Sequence, residues 1–369
     1  MMKWKDMKSW QQRKIIRWFS FFIAIAVIYI GYVILTIHNE KQISKDSWNT
    51  MVSQNQAIQE RTYDMENPPT IVTVGTYLES IKDISLKTNS YRISFVVWFR
   101  WHDNDDLNFI ETGRVYNAQQ HSIEVLKDYH EDGLHYQQML IDATCSRNFS
   151  TKHFPLDAHN MSFYIESAES VDEVIFLSDT SNSGVNPHLS ISGYDIGDYL
   201  VSSTLYEYPN TLNNPRLETP MQHSMMATHL RTYRSDFGLY FRCFIALLGA
   251  LTWVMIAVYI CAHHRVNPLS TLAAALFGAV GNIMVGAALL PDVLELGLVE
   301  FINLFGTLIV IGGTLIIIQI NNIRDNRKGL DKDSANVYAK TFGRIMFFLL
   351  LAIALIGNIA IPLLTYNWS

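Results

Sequence analysis

The sequence predicts a membrane protein with an antiparallel β-sandwich outside the membrane, a four-helix transmembrane bundle after it, and one further transmembrane helix at the N-terminus. Two observations lead to this fold class. Windows of about 20 apolar residues, the length that a helix needs to cross a bilayer, occur at 18–37, 243–262, 268–290, 301–320 and 345–366. Between the first two windows lie about 200 mostly polar residues, in which short strand patterns alternate with turns.

The first apolar window predicts an uncleaved membrane anchor. A secretory signal is the alternative, but this window exceeds the roughly 7 to 15 apolar residues of such signals, and no small-x-small cleavage pattern follows it. Lys and Arg in short loops resist translocation, which places the basic N-terminus in the cytoplasm. The basic residues before the window are Lys3, Lys5, Lys8, Arg13, Lys14 and Arg17.

The same rule orients the remaining windows. Segments 263–265 and 324–344 are basic and are predicted to be cytoplasmic, whereas the link 290–300 is acidic and contains no Lys or Arg. The prediction is therefore five spans in the inner (plasma) membrane, with the N-terminus inside and the C-terminus outside. The β domain then lies in the periplasm or the extracellular space.

The polar region contains seven runs rich in β-branched and aromatic residues, with no long helical pattern between them. This pattern favours an antiparallel sandwich over an α/β fold. The predicted domains are an N-terminal anchor (1–38), a linker (39–69) with a short helix over 45–61, a sandwich (70–235) and a pore bundle (236–369). The predicted strands are 70–77, 91–101, 133–143, 159–166, 174–177, 199–208 and 223–232.

Four features occur in an order that identifies a family by resemblance. They are Trp101-His102-Asp103 after the second strand, Arg147 before Phe154-Pro155-Leu156-Asp157, the pair Arg231 and Arg234 before the second window, and the stretch from Arg265 to Leu290-Pro291. The chain resembles a subunit of the pentameric ligand-gated ion channels of the Cys-loop receptor superfamily, in its prokaryotic form. Cys145 has no partner near Met161, whereas two cysteines close this loop in animal members, and the N-terminal anchor is extra to the family's four spans.

A pore requires one helix face per subunit, and the window 268–290 offers a 3.6-residue stripe for it. The resemblance assigns the pore-facing positions to the same stripe. Five copies of Phe277 would form an apolar ring that gates by dewetting, although Phe277 and Met284 can equally be helix-packing residues. The predicted pore-lining residues are Ser270, Ala274, Phe277, Gly281, Met284 and Ala288.

The resemblance also implies where the two domains are coupled. Phe154, Pro155 and Asp157 would lie on the link near Pro291, with Arg234 paired to Asp157. The alternative is that Asp157 caps its own turn.

A ligand site between neighbouring subunits is implied under the hairpin 206–223. Aromatic faces attract cations, so Tyr194, Tyr199, Tyr206 and Tyr208 are candidate ligand-binding residues, with a purely structural role as the alternative for each. The ligand is an unidentified small molecule or a proton. Trp98 and Trp101 are predicted to be core residues of the sandwich.

Several classes of function are not indicated. The formal net charge of −6 and the placement of the basic residues give no footprint for nucleic acid. His102 lies beside Asp103 and Asp105, and His130 lies near His135, but none has the spacing of a zinc site, so no metal and no cofactor is predicted. No nucleophile with a base in register is present, so no enzyme activity is predicted.

Two functions remain. The first is a homopentameric ligand-gated channel, with a weak preference for cations from Asp292, Glu295 and Glu300 at the outer mouth. The second is a non-conducting sensor or accessory subunit that keeps the channel fold and engages a partner through the N-terminal span. The apolar pore face and the extra span motivate the second function.

Overall fold

The computed structural model describes residues 4–59, 68–211, 221–290, 296–326 and 329–366, and the chain divides into two units. The helical unit contains the described residues up to Glu40, the loop Thr151–Asp157 and the chain from Asp236 onward. The β unit contains Lys41–Ser150 and Ala158–Ser235.

Ten strands build the described part of the β unit. Six of them form one sheet in the order β4-β5-β2-β1-β7, with β8 also paired to β1, and four form a second sheet in the order β3-β6-β10-β9. The strands are β1 (Thr70–Ser85), β2 (Ser90–His102), β3 (Arg114–Val115), β4 (Ala118–Glu131), β5 (Leu134–Ser146), β6 (Ala158–Ser170), β7 (Val174–Ser178), β8 (Gly184–Val185), β9 (Tyr194–Glu207) and β10 (Gln222–Arg234). Pairing is antiparallel throughout except at β1–β7 and β1–β8.

Side chains from the two sheets meet in a common core. The rings of Phe95 on β2 and Phe163 on β6 lie 4.3 Å apart, and both residues are buried. The Tyr91 hydroxyl donates to the Ser162 carbonyl at 2.8 Å. A buried tyrosine needs such a partner, because an unpaired hydroxyl in an apolar core is costly. Trp101 is also fully buried, as its predicted core role requires, while Trp98 is half-buried and donates to Asp179 at 3.2 Å.

All seven predicted strands are present, and each overlaps an observed strand. Strand β4 was missed because almost all of its residues are exposed, so its sequence does not alternate between apolar and polar positions. Its backbone pairs with β5 regardless of that pattern. The short strands β3 and β8 and the one-turn helix α2 (Phe109–Thr112) were also not predicted.

The helical unit is built from α3 (Gly238–His264), α4 (Leu272–Leu289), α5 (Leu298–Asn326), α6 (Lys332–Thr365) and the first part of α1 (Ser9–Gln59). Helices α3, α5 and α6 and the Ser9–Thr50 part of α1 are long and apolar enough to cross a membrane. These four helices indicate a membrane-embedded protein. The remaining predicted window, 268–290, is the third along the chain. It contains a shorter apolar helix, α4, whose 18 residues extend about 27 Å.

Helix α1 corrects one prediction. The short helix expected over 45–61 is instead the end of one continuous helix of 51 residues, which extends through most of the predicted linker 39–69 as far as Gln59. The reason lies in the composition: no Gly or Pro occurs between Lys41 and Gln59, so nothing interrupts the helix. The predicted segment beyond Gln59 is outside the described residues until Pro68.

Aromatic contacts hold the first part of α1 against α5 and α6 within the helical unit. Tyr29 stacks on Phe305 at 5.9 Å, and its hydroxyl donates to the Phe301 carbonyl at 2.7 Å. Nearer the N-terminus of α1, Trp18 contacts Phe342 edge-on at 6.3 Å. The opposite face of α1 exposes large apolar side chains, which suits contact with lipid better than contact with water.

Candidate functional site

Helix α4 has one buried face and one exposed face. Leu272, Ala275, Ala279 and Asn282 are buried at helical spacing. Asn282 fixes the rotation of the helix, since its Nδ2 donates to Asn303 Oδ1 at 2.9 Å and its Oδ1 accepts from the Leu247 backbone N–H at 3.3 Å. This buried amide pair joins α4 to α3 and α5, so the opposite face points away from both helices.

Five of the six predicted pore-lining residues lie on that exposed face, and Ser270 lies in the 3-10 turn Leu269–Thr271 just before the helix. Phe277 is 77% exposed, the highest value among the large apolar residues that the structure describes, and Met284 is 71% exposed. A methyl group built on Gly281 would meet no neighbouring atom within 4 Å. The other members, also exposed, are Ser270, Ala274 and Ala288. The structure therefore brings the predicted stripe together on one surface, with its two bulky side chains most exposed.

The predicted coupling loop lies against the start of α5 within the helical unit. Phe154, Leu156 and Asp157 are buried, and the Phe154–Pro155 peptide is cis. The backbone N–H of Leu298 donates to the Lys152 carbonyl at 2.7 Å. A Cβ atom on Gly297 would lie 2.9 Å from that carbonyl oxygen and 3.0 Å from Lys152 Cα, so this close approach requires glycine. Pro291 lies outside the described residues.

A second contact of this loop was not visible in the sequence. Lys152 Nζ donates to Glu40 Oε1 on α1 at 2.8 Å, with both side chains about three-quarters buried. Lys152 and Glu40 are 112 positions apart, so no local sequence pattern indicates that they pair. A cavity of 350 Å³ adjoins the pair and is lined by Thr36, Ile37, Glu40, Lys152, His153, Leu296 and Phe301.

Arg234 and Asp157 fall in different units, so their pairing stays a prediction. Within the β unit, the Arg234 guanidinium carbon lies 4.0 Å from the centroid of the Tyr194 ring, a cation–π distance. Tyr194 is buried beneath that contact. The geometry gives Tyr194 a structural role in holding Arg234.

Tyr206 and Tyr208 form an aromatic cluster with Tyr116, which sequence reasoning missed. The Tyr206 ring lies 5.0 Å from both neighbours, and the Tyr116 hydroxyl donates to the Tyr206 hydroxyl at 3.0 Å. This hydrogen bond raises the pKa of Tyr116 to about 12. Tyr116 is on the segment between β3 and β4, about 90 residues before Tyr206, so no sequence spacing connects it with Tyr206 on β9 and Tyr208 just after it.

A buried charge lies beneath the tyrosines. Glu166 is 1% exposed, accepts from the Tyr208 hydroxyl at 2.8 Å, and accepts from Arg114 Nε at 2.8 Å. Burial and this bond to a carboxylate raise the pKa of Tyr208. Arg114 also donates to the Tyr208 hydroxyl at 3.0 Å. The cluster thus combines aromatic faces, one buried carboxylate and one exposed guanidinium.

Tyr199 does not belong to this cluster. It lies seven residues from Tyr206 on β9, about 23 Å along an extended strand. Its hydroxyl is within 2.8 Å of Thr76 Oγ1 and donates to the Thr76 carbonyl at 2.9 Å, and burial raises its pKa to about 12. The geometry gives Tyr199 a structural role between the two sheets.

Among the three acidic residues predicted at the outer mouth, the structure describes Glu300. Glu300 Oε2 accepts from the Gly297 backbone N–H at 2.8 Å and so caps the start of α5. Asp292 and Glu295 lie outside the described residues. At the C-terminal end of α3, in the predicted cytoplasmic segment 263–265, His263 stacks on Tyr259 at 4.3 Å and Arg265 is exposed.

No protein-family model matches the chain, and no curated protein matches it. Three structural features bear on its function: the exposed face of α4, the loop Thr151–Asp157 against the start of α5, and the tyrosine cluster of the β unit.

Proposed function

We propose that the chain is a subunit of a homopentameric ligand-gated ion channel in a cell membrane. In this proposal an antiparallel β-sandwich outside the membrane senses the ligand, and a four-helix bundle, preceded by the anchor α1, forms the pore. The observation that carries it is the face of α4. A helix fixed by buried amides on one side and presenting Phe277 and Met284 on the other suits a pore whose wall is completed by further copies.

Phe277 is the proposed gate. Five copies around a symmetry axis would form a ring of phenyl groups, and an apolar constriction of this kind blocks ions because water leaves it. The small residues Ala274 and Gly281 lie about one turn below and above Phe277, which leaves the phenyl ring as the narrow point of the stripe. Membrane lipid is the other environment that suits an exposed phenylalanine, and the experiment below distinguishes the two.

The test is electrical recording from oocytes that express wild-type protein or Phe277→Ala, across a range of external pH and a panel of cationic amines. We expect Phe277→Ala to pass current without ligand, or at lower ligand concentration, with a reversal potential that reports cation or anion selectivity. Phe348→Ala is the matched control, because Phe348 is also exposed on a long apolar helix but lies on α6. Equal currents from both variants would contradict a gate at Phe277.

A cationic amine is the ligand class that we propose for the tyrosine cluster. Aromatic rings attract a cation through their faces, and the rings supply this attraction here because the charge of buried Glu166 is already paired with Arg114. The shared hydrogen bonds of Tyr116, Tyr206 and Tyr208 hold the rings in place before a ligand binds. Protons remain the other ligand considered, and the pH series in the recordings covers them.

The second candidate function, a non-conducting sensor or accessory subunit, is supported by the contact between α1 and the coupling loop. Lys152 is bonded to Glu40 of the anchor helix, so the anchor reaches the loop through which gating is proposed to pass. Silence from wild type and Phe277→Ala, with both proteins detected at the cell surface, would favour this function over a channel.

A further inference from the structure

Three side chains of the β unit place metal-ligating atoms together. Asp105, His130 and His135 each offer one such atom, and these atoms all lie within 4.8 Å of one another. Asp105 Oδ1 is 3.0 Å from His135 Nε2 and 3.9 Å from His130 Nδ1. Two ligands of a tetrahedral zinc ion lie about 3.4 Å apart, a spacing that the two measured distances bracket.

The two histidines are brought together by a tight hairpin. His130 and His135 are directly opposite each other in the β4–β5 pairing. Between them the turn residues Asp132 and Gly133 have φ of 51° and 77°, the left-handed conformation that an Asp-Gly turn favours. The two imidazole rings stack 3.9 Å apart. The sequence signal for this site is one His on each side of an Asp-Gly hairpin turn. The residue spacings of helical or linear zinc motifs do not include this pattern.

The loop that carries Asp105 is fastened to the same hairpin. The Asp103 backbone N–H donates to the Gly133 carbonyl at 3.1 Å. Trp101 Nε1 donates to the Asn104 carbonyl at 2.8 Å, and the Trp101 ring stacks on His135 at 4.9 Å with an interplanar angle of 7°. Buried Trp101 therefore orients the His135 ring and holds the loop that carries Asp105. Residues around a metal site preorganise its ligands in this way.

His135 carries an unexplained nitrogen. Its Nε2 is buried and has no hydrogen-bond partner among the residues that the structure describes, although Asp105 Oδ1 is close. Buried polar atoms are nearly always bonded, so this one indicates a missing partner. The side chains of Asp105 and His130 are 80% and 48% exposed, which gives an ion access from solvent and leaves both ligands room to adjust.

We propose that Asp105, His130 and His135 bind a divalent transition-metal ion, with zinc as the redox-inert example and water in the fourth position. Two imidazole nitrogens and one carboxylate suit zinc, nickel or copper, whereas calcium and magnesium take oxygen ligands. The bound ion ties the loop after β2 to the β4–β5 hairpin. This site stands apart from the proposed channel function, because ion binding at the hairpin does not require a pore.

The test is zinc binding by the detergent-solubilised full-length chain, measured by calorimetry and by competition with a chromogenic chelator. We expect one zinc per chain, with affinity reduced at least about tenfold in His130→Ala and Asp105→Asn, which are exposed and therefore safe to replace. His135→Phe keeps a ring for Trp101 to stack on but removes the ligand nitrogen, and we expect the same loss.

His121→Ala is the matched control, because His121 is an exposed histidine of the same strand but lies outside the cluster. Zinc should raise the unfolding temperature of wild type and His121→Ala and leave that of the other three variants unchanged, since only a ligand that binds the folded state stabilises it. Calcium should shift none of them. Absence of zinc binding by wild type, or wild-type affinity in His130→Ala and His135→Phe, would overturn the proposal.

Discussion

His229 is expected to make the β unit sensitive to acid. It lies on β10, is 2% exposed, and its Nδ1 is 2.7 Å from Ser162 Oγ. Burial, with a smaller contribution from the positive charge of Arg147, lowers the pKa of His229 from 6.5 to about 4. Its ring also contacts Trp48, in the last part of α1, edge-on at 6.3 Å. A proton on His229 would therefore charge a site that the fold keeps neutral.

The sign and size of the effect follow from the two pKa values. Between about pH 6.5 and pH 4 the unfolded chain binds a proton at this histidine that the folded chain does not, so the free energy of unfolding decreases as the pH falls. One pKa unit is worth about 1.4 kcal/mol, which gives a loss of about 2 kcal/mol between pH 7 and pH 5 and about 3 kcal/mol once the folded state also titrates. Above about pH 7 the contribution is constant.

The assay is the unfolding temperature, or the denaturant midpoint, of the purified protein at each pH, followed by tryptophan fluorescence. His229→Asn removes the titrating group while keeping a hydrogen-bonding side chain near Ser162, and we expect a shallower decline in stability from pH 7 to pH 5. His188→Asn is the matched control, because His188 is exposed. Parallel pH profiles for wild type and His229→Asn would show that His229 does not cause the acid sensitivity.

Three further predictions test the proposed coupling loop and the tyrosine cluster. Gly297→Ala should destabilise the protein by about 1 to 3 kcal/mol and reduce ligand-evoked current, because its Cβ would lie 2.9 Å from a backbone oxygen; Gly249→Ala, which meets no atom within 4 Å, is the control for both readouts. Tyr206→Ala should raise the amine concentration for half-maximal current about tenfold while Tyr206→Phe changes it little, since the ring supplies the attraction; equal effects would argue against a cation–π site. Asp157→Arg should suppress current and Arg234→Asp should restore it in the double variant; failure of this rescue would count against the predicted pair.

Local patterns in the sequence were sufficient for much of the β unit. Strands β2, β6 and β10 are rich in β-branched and aromatic residues and end near turn-forming residues, so their positions were predicted closely. Strand β4 was not predicted from this pattern, because an exposed edge strand needs only backbone pairing with its neighbour. Helix α1 extended beyond its predicted end because nothing in a polar, proline-free segment stops a helix.

The shared face of Ala274 to Ala288 on α4 was predictable from helical periodicity alone, while Ser270 precedes the helix and the pore-lining role stays a prediction. The tyrosine cluster was only half predictable. Tyr206 near the end of β9 and Tyr208 just after it are close in sequence, but Tyr116 and Glu166 join them through the pairing of strands that are distant in sequence. Tyr199, on the same strand, was a candidate ligand-binding residue by resemblance, with a structural role as the alternative, and its bond to Thr76 favours the structural role.

The contact between Lys152 and Glu40 joins α1 to the proposed coupling loop. Each charge is about three-quarters buried, so each depends on the other more than a surface pair would. Removing one partner removes the side-chain bond that joins the loop to α1 beside the 350 Å³ cavity. The same loop is fixed to α5 through Lys152 and Leu298, so a change at Glu40 reaches the start of α5 through a single residue. The extra helix is therefore positioned to modulate the proposed gating.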